Sequence, residues 1–230
     1  MTNETNHEKI VLVAYPGMTA LDMLGPQTLF ACVTGVTVMI AAQTLDPVTC
    51  DTGLKLIPDV DFGSCPREVD LFLLPGGLDG TTAAMKDRRT IGFVGELGAH
   101  SKYVTSVCTG SLILGAAGLL KGYRATSHWV GVHLLRSFGA TPVKERVVVD
   151  RNRITGAGVT AGMDMALTVI KMLRGEEYAK MVALLTEYDP APPVHTGSPH
   201  AAGAKLTDMA RGRFEDWLRD AQTVAMGFVH

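Results

Sequence analysis

A chain of 230 residues with 47% hydrophobic and 6% aromatic side chains can bury one sizeable core, roughly 70–75% of its unfolded surface, but is short for a second full domain. Its formal net charge of −2, with lysine and arginine scattered rather than striped, offers no counterion-release drive toward nucleic acid and no basic face for an anionic membrane. Four cysteines are too few and too unevenly spaced for a disulfide framework or a zinc motif, and no stretch approaches the roughly 20 apolar residues of a membrane span.

Residues 1–8 are polar without an apolar secretory core, which predicts a flexible tail on a reduced, cytoplasmic protein. Residues 9–15 (KIVLVAY) read as the first buried strand. Residues 18–33 follow as a turn and helix in which Pro26 must sit in the first turn or break the helix, because proline lacks an amide donor. The next strand is 36–42, and 48–57 suggests an exposed hairpin around Gly53. Residues 71–74 form a short central strand ending in Pro75, Gly76 and Gly77. A helix over 88–99 leads to a strand over 103–107, and a second helix over 111–120 carries small and aliphatic residues suited to close packing. Beyond it, 128–138 is a helical candidate. Residues 144–149 and 153–155 form a hairpin around 150–152, and 162–174 and 176–187 return to helix.

Asp189 and the prolines after it end that helix, leaving a Pro/Gly connector through Gly203 and one amphipathic helix over 205–221. The alternation of strands and helices predicts an α/β fold with a mainly parallel sheet covered on both faces. The expected organisation is a tail over 1–8, a catalytic domain over 9–190, and a connector with a helical arm over 191–230.

Cys108 stands where the apolar strand 103–107 gives way to Thr109, Gly110, Ser111 and a helix. Such an elbow exposes a side chain at the end of a buried sheet, above helix-start amides whose dipole favours a thiolate, so Cys108 is a candidate nucleophile. The alternative is a small buried hydrophobe, which is the reading for Cys32, Cys50 and Cys65. Asp22, near a helix start after a strand, is either an N-cap or a catalytic carboxyl. Pro75, Gly76 and Gly77 by themselves form a tight turn.

Residues 106–129 (SVCTGSLILGAAGLLKGYRATSHW) resemble the nucleophile-elbow segment of the ThiJ/PfpI superfamily, and in detail its isonitrile hydratase branch. Three further segments agree in order: 19–26 (TALDMLGP), 73–77 (LLPGG) and 150–162 (DRNRITGAGVTAG). The resemblance implies a flavodoxin-like three-layer sandwich with a nucleophile elbow, a homodimer, and an acidic residue beneath the cysteine. That residue is generally glutamate in the superfamily and aspartate in the hydratase branch, which places Asp22 in the role. It also implies that the amides of Gly77 and Thr109 face the nucleophile as an anion-stabilising pair. A peptidase-like branch carries histidine directly after the cysteine; Thr109 occupies that position here, which disfavours peptidase chemistry.

An isocyanide carbon accepts a thiolate and then holds negative charge, so its hydration needs a nucleophile and a nearby acid. Cys108 and Asp22 suffice, through a covalent thioimidate that water then opens to an N-substituted formamide, with no cofactor and no metal. Two adjacent anions repel, so the two groups are expected to titrate as a coupled pair. His128 borders the pocket by resemblance, although a His-Trp pair opening a helix serves packing equally well. Trp129 and Val159 are candidate apolar pocket or interface residues. His195 and His200 lack nearby ligand partners and read as a solvated loop. Two other functions remain open: a glyoxalase- or deglycase-like enzyme on small α-dicarbonyls, and a non-enzymatic redox or ligand sensor. About 40 residues with one helix after position 190 are too few for an appended helix-turn-helix pair.

Overall fold

The computed structural model describes residues 7–228. Its strands are β1 (Glu8–Val13), β2 (Val36–Ala42), β3 (Val48–Thr49), β4 (Lys55–Leu56), β5 (Val60–Asp61), β6 (Leu71–Leu74), β7 (Tyr103–Val107), β8 (Arg124–Ala125), β9 (Thr141–Pro142), β10 (Val147–Asp150) and β11 (Arg153–Gly156). Its helices are α1 (Ala20–Ala31), α2 (Leu78–Lys86), α3 (Arg88–His100), α4 (Gly110–Ala116), α5 (Ala161–Arg174), α6 (Glu176–Leu185), α7 (Pro199–Gly212) and α8 (Glu215–Met226). A 3₁₀ segment covers Val132–Phe138.

Seven strands form one sheet in the order β10-β11-β7-β6-β1-β2-β5, and every pairing is parallel except that of β10 with β11. The central run β2-β1-β6-β7-β11 is the flavodoxin order, with a short strand added at each edge. Ile10, Val11, Leu12, Val13 and Leu71 through Leu74 are fully buried, as continuous apolar strands must be when helices cover both faces. The chain order reverses between β1 and β6. In open α/β sheets the crevice beyond the carboxyl ends at such a switch point is where ligands bind. Residues following β1, β6 and β7 therefore meet there.

Several elements differ from expectation. Residues 1–6 of the predicted tail lie outside the described residues, but Glu8 belongs to β1, is buried, and makes an ion pair with Arg174 at the end of α5. Pro26 lies in the middle of α1 rather than in its first turn. Its ring packs closely on Gly162 of α5, contact that offsets part of the roughly 3 kcal/mol cost of an interior proline. Helix α4 stops at Ala116 because Gly118 takes a left-handed turn, and the Leu119 and Gly118 amides close back on Leu114 and Gly115 in a Schellman motif. The 128–138 candidate is a 3₁₀ segment over its second half. Val132, Leu135 and Phe138, each three residues apart, are all buried on one face, which suits three residues per turn.

Helix α2 and strand β5 carry too weak a pattern to stand out in the sequence; α2 contains Gly80 and two threonines. The C-terminal arm holds two helices rather than one. Its first begins at Pro199, inside the expected connector, with Ser198 as N-cap and a kink at Gly203. Helix α8 buries Trp217, Ala221 and Ala225, whereas α7 buries nothing.

Candidate active site

Strand β7 ends at Val107 and the chain turns at Cys108, whose φ is +58°, a left-handed conformation that non-glycine residues rarely adopt. Hydrogen bonds hold the turn from both sides. The Cys108 N–H donates to Gly156 O at 3.1 Å and Ala157 O at 2.7 Å, and the Cys108 carbonyl accepts from Ser127 Oγ at 3.0 Å and Ser111 Oγ at 3.2 Å. Gly110 lets the elbow press against β6, since a Cβ there would stand 2.2 Å from Leu74 O. The side chain so presented is only 5% exposed.

Asp22 is fully buried in the first turn of α1 but does not cap that helix. Its Oδ2 reaches across to accept the Gly76 N–H at 2.8 Å, while Oδ1 meets no nitrogen or oxygen donor among the described residues. Burial, the largest influence, raises its pKa from 3.8 to about 7; the Gly76 amide and the Cys108 thiol oppose that rise, and the Asp51 charge adds to it.

Burial and then the charge of Asp22 also push the Cys108 thiol far up. This corrects the expected thiolate. The amides of Val159 and Thr109 and the Thr109 hydroxyl do favour the ionised sulfur, but desolvation at a sheet end outweighs them. Burial thus disfavours the charge on either group, and thiol and carboxyl titrate as one coupled pair.

Gly77 is not placed as the resemblance implies. Its N–H donates to Thr109 Oγ1 at 3.0 Å, and the amide that joins Thr109 in stabilising the sulfur belongs to Val159. Val159 thus contributes its backbone as well as a half-buried apolar side chain. Thr109 is fully buried, and its hydroxyl lies 2.7 Å from Thr81 Oγ1. Tyr15 O–H donates to Pro75 O at 2.7 Å and its oxygen is 3.4 Å from Thr81 Oγ1. Thr109 Oγ1 thus accepts from the Gly77 N–H, pairs with the Thr81 hydroxyl and lies within hydrogen-bonding reach of the Cys108 sulfur.

Tyr15, Thr81, Ser127 and Asp51 are contributors that sequence reasoning missed. Tyr15 ends an apolar run, Thr81 sits in a helix with little periodicity, and Asp51 reaches the α1 start from the β3–β4 hairpin by accepting from Thr19 Oγ1 at 2.6 Å. None has a local signal beyond residue type.

His128 and Trp129 are half-buried and pack together at 5.6 Å between ring centroids. Burial pushes the His128 pKa down to about 4, and its Nδ1 accepts the Val130 N–H at 3.4 Å, so the ring is a neutral Nε2–H tautomer. His195 is exposed and His200 lies in the first turn of α7. Among the described residues no group of three or more histidine, cysteine, aspartate or glutamate side chains is placed to hold a metal ion.

A nucleophile elbow on a flavodoxin-ordered sheet, facing a carboxyl from the helix after β1, defines a class, and the DJ-1/PfpI family model matches residues 8–172. The chain belongs to that family. It is 46% identical over 205 residues to the isonitrile hydratase of Pseudomonas putida, covering 89% of each chain. A crystal structure of a ThiJ/PfpI family protein from Pseudomonas syringae superimposes with a TM-score of 0.93 at 47% identity, covering 98% of this chain and 96% of that one. The transcriptional regulator GbdR of Pseudomonas aeruginosa is 31% identical over 144 residues, which is 62% of this chain but 38% of the regulator.

Proposed function

We propose that this protein hydrates isocyanides to N-substituted formamides, with Cys108 as nucleophile and Asp22 as general acid and base. The observation that carries the reading is the buried Asp22 carboxyl, tied to the Gly76 amide and facing a thiol with no adjacent histidine. The 46% identity to an isonitrile hydratase supports the same substrate class.

The pair begins with one proton between thiol and carboxyl. As sulfur bonds to the terminal isocyanide carbon, Asp22 takes the thiol proton and delivers it to that carbon, whose lone pair becomes a C–H bond; the product is a thioimidate, R–N=CH–S–Cys108. Carboxylate Asp22 then removes a proton from water as its oxygen attacks the same carbon, and the proton passes to nitrogen. Collapse of R–NH–CH(OH)–S–Cys108 forms the carbonyl, breaks the C–S bond and returns the hydroxyl proton to the Cys-Asp pair. Atoms and charge balance with isocyanide and water alone. The Thr109 and Val159 amides and the Thr109 hydroxyl stabilise sulfur as it gains and loses charge.

Incubation with an aryl isocyanide and, separately, with methylglyoxal tests the reading. Formamide from the first, lost in both Cys108→Ala and Asp22→Ala, is the expected outcome; lactate from the second with no formamide from the first contradicts it. We also infer a homodimer, supported by Leu21, which is 46% exposed on α1 beside Met163 of α5. Sedimentation of wild type and Leu21→Asp checks it, with a dimer expected for the first and a monomer for the second.

A further inference from the structure

Val159 is a β-branched residue with φ of +22°, a backbone conformation that persists only where neighbours enforce it. The enforcing contacts lead outward from the sheet. Gly158 lies against the His128 imidazole so closely that a Cβ would stand 2.7 Å from the ring's Cδ2. That ring is itself held. Its centroid lies 5.8 Å from the Phe214 ring, and Phe214 meets Trp129 edge to face at 6.0 Å and 88°. Phe214 sits at the junction of α7 and α8, and Trp217, buried three residues later, packs its indole on Gly131. On its other side the same loop grips the elbow, since Gly156 and Ala157 both accept from the Cys108 N–H.

We propose that Phe214 and His128 are positioning residues: the C-terminal arm, through the His128 ring, holds loop 157–159 so that the Val159 N–H stays aimed at the Cys108 sulfur. The arm thereby sets the reactivity of a thiol it does not itself carry, through one ring and one loop. His128 acts as a neutral ring and not as a base, in keeping with its Nδ1 being occupied as an acceptor. The inference deepens the hydratase reading by naming what orients its anion-stabilising amide. It is tested on the thiol itself, so a different substrate would leave it standing.

The measurement is the rate constant of Cys108 alkylation by iodoacetamide at a fixed pH, followed by intact-protein mass in the full-length chain. Phe214→Ala and His128→Ala are expected to lower it about tenfold. His128→Phe, which keeps a ring against Gly158, is expected to retain the wild-type rate. Val224→Ala, on α8 in the groove lined by Met85 and Ile91, removes an apolar contact from the same arm and controls for stability. It should lower the melting temperature without changing the rate. An unchanged rate in Phe214→Ala, an equal fall in Val224→Ala, or a His128→Phe rate matching His128→Ala would overturn the proposal.

Discussion

The end of the sheet and the C-terminal arm are built by opposite means. At the sheet end, three strand termini converge and several side chains near the elbow are tied to backbone: Asp22 to Gly76, Ser111 and Ser127 to Cys108 O, and Tyr15 to Pro75 O. The arm is attached by side chains along α8, through buried Trp217, Ala221 and Ala225 and an exposed Asp220–Lys86 ion pair, and α7 buries none of its residues. Backbone anchoring resists sequence change and gives a rigid site. Side-chain anchoring leaves an element that adjusts its packing, which suits a part that tunes the site rather than forming it.

The largest effect expected of any substitution separates the two regions outright. Cys108→Ala should reduce isocyanide turnover to the rate without enzyme, with the melting temperature little changed, since it removes the nucleophile and a single sulfur atom. Steady-state formamide production checks this. Asp22→Asn keeps the volume and the bond to the Gly76 amide's side of the site while deleting the proton carrier, and should slow turnover by about 10²–10⁴-fold. Activity in either variant near wild type would leave the sheet end without its assigned chemistry.

Stability offers a sharper contrast. Folding raises the Asp22 pKa from 3.8 to about 7, so the folded state favours the protonated carboxyl. Its contribution is fully present below the unfolded value and is lost as pH rises through about 7, on the order of 2–4 kcal/mol. Chemical denaturation of wild type should therefore show this loss between those limits, and the difference curve against Asp22→Asn should isolate it. A difference curve flat across that window would contradict a buried neutral acid.

In the arm, Trp217→Ala should cost about 3–5 kcal/mol, because the indole fills the space beside Gly131. Leu206→Ser on α7, where the leucine is 45% exposed, should change stability by less than about 0.5 kcal/mol. Equilibrium denaturation of the two reads both. A costly Leu206→Ser would mean that α7 is packed against something, and the division drawn between the two arm helices would fall.

What the sequence made legible follows the same division. Cys108 announced itself because an elbow is a local pattern, whereas a helix start alone left Asp22 between an N-cap and a catalytic carboxyl until the family resemblance placed it; continuous apolar runs marked β1, β6 and β7. The sign of the Cys108 shift was not legible, since helix-start amides are visible in sequence and desolvation by a folded sheet end is not. Gly77 was misassigned for a related reason: its N–H goes to Thr109 Oγ1, a partner supplied by another strand's end. Thr81 and Tyr15 lie 28 and 66 residues from the hydroxyls they approach, separations across which no periodicity speaks. Pro26 stays inside α1 because Gly162 of α5 receives its ring, and the arm's second helix is defined by Trp217, Ala221 and Ala225 meeting a surface made elsewhere.

The central claim is that burial beside the Cys108 thiol makes Asp22 a proton carrier near neutral pH. Difference infrared spectra between wild type and Asp22→Asn, recorded across a pH series, isolate the carboxyl stretch of that single residue. A buried proton carrier predicts that the protonated band of Asp22 disappears with a midpoint of about 7. A carboxylate already ionised down to the ordinary value of 3.8 would contradict it.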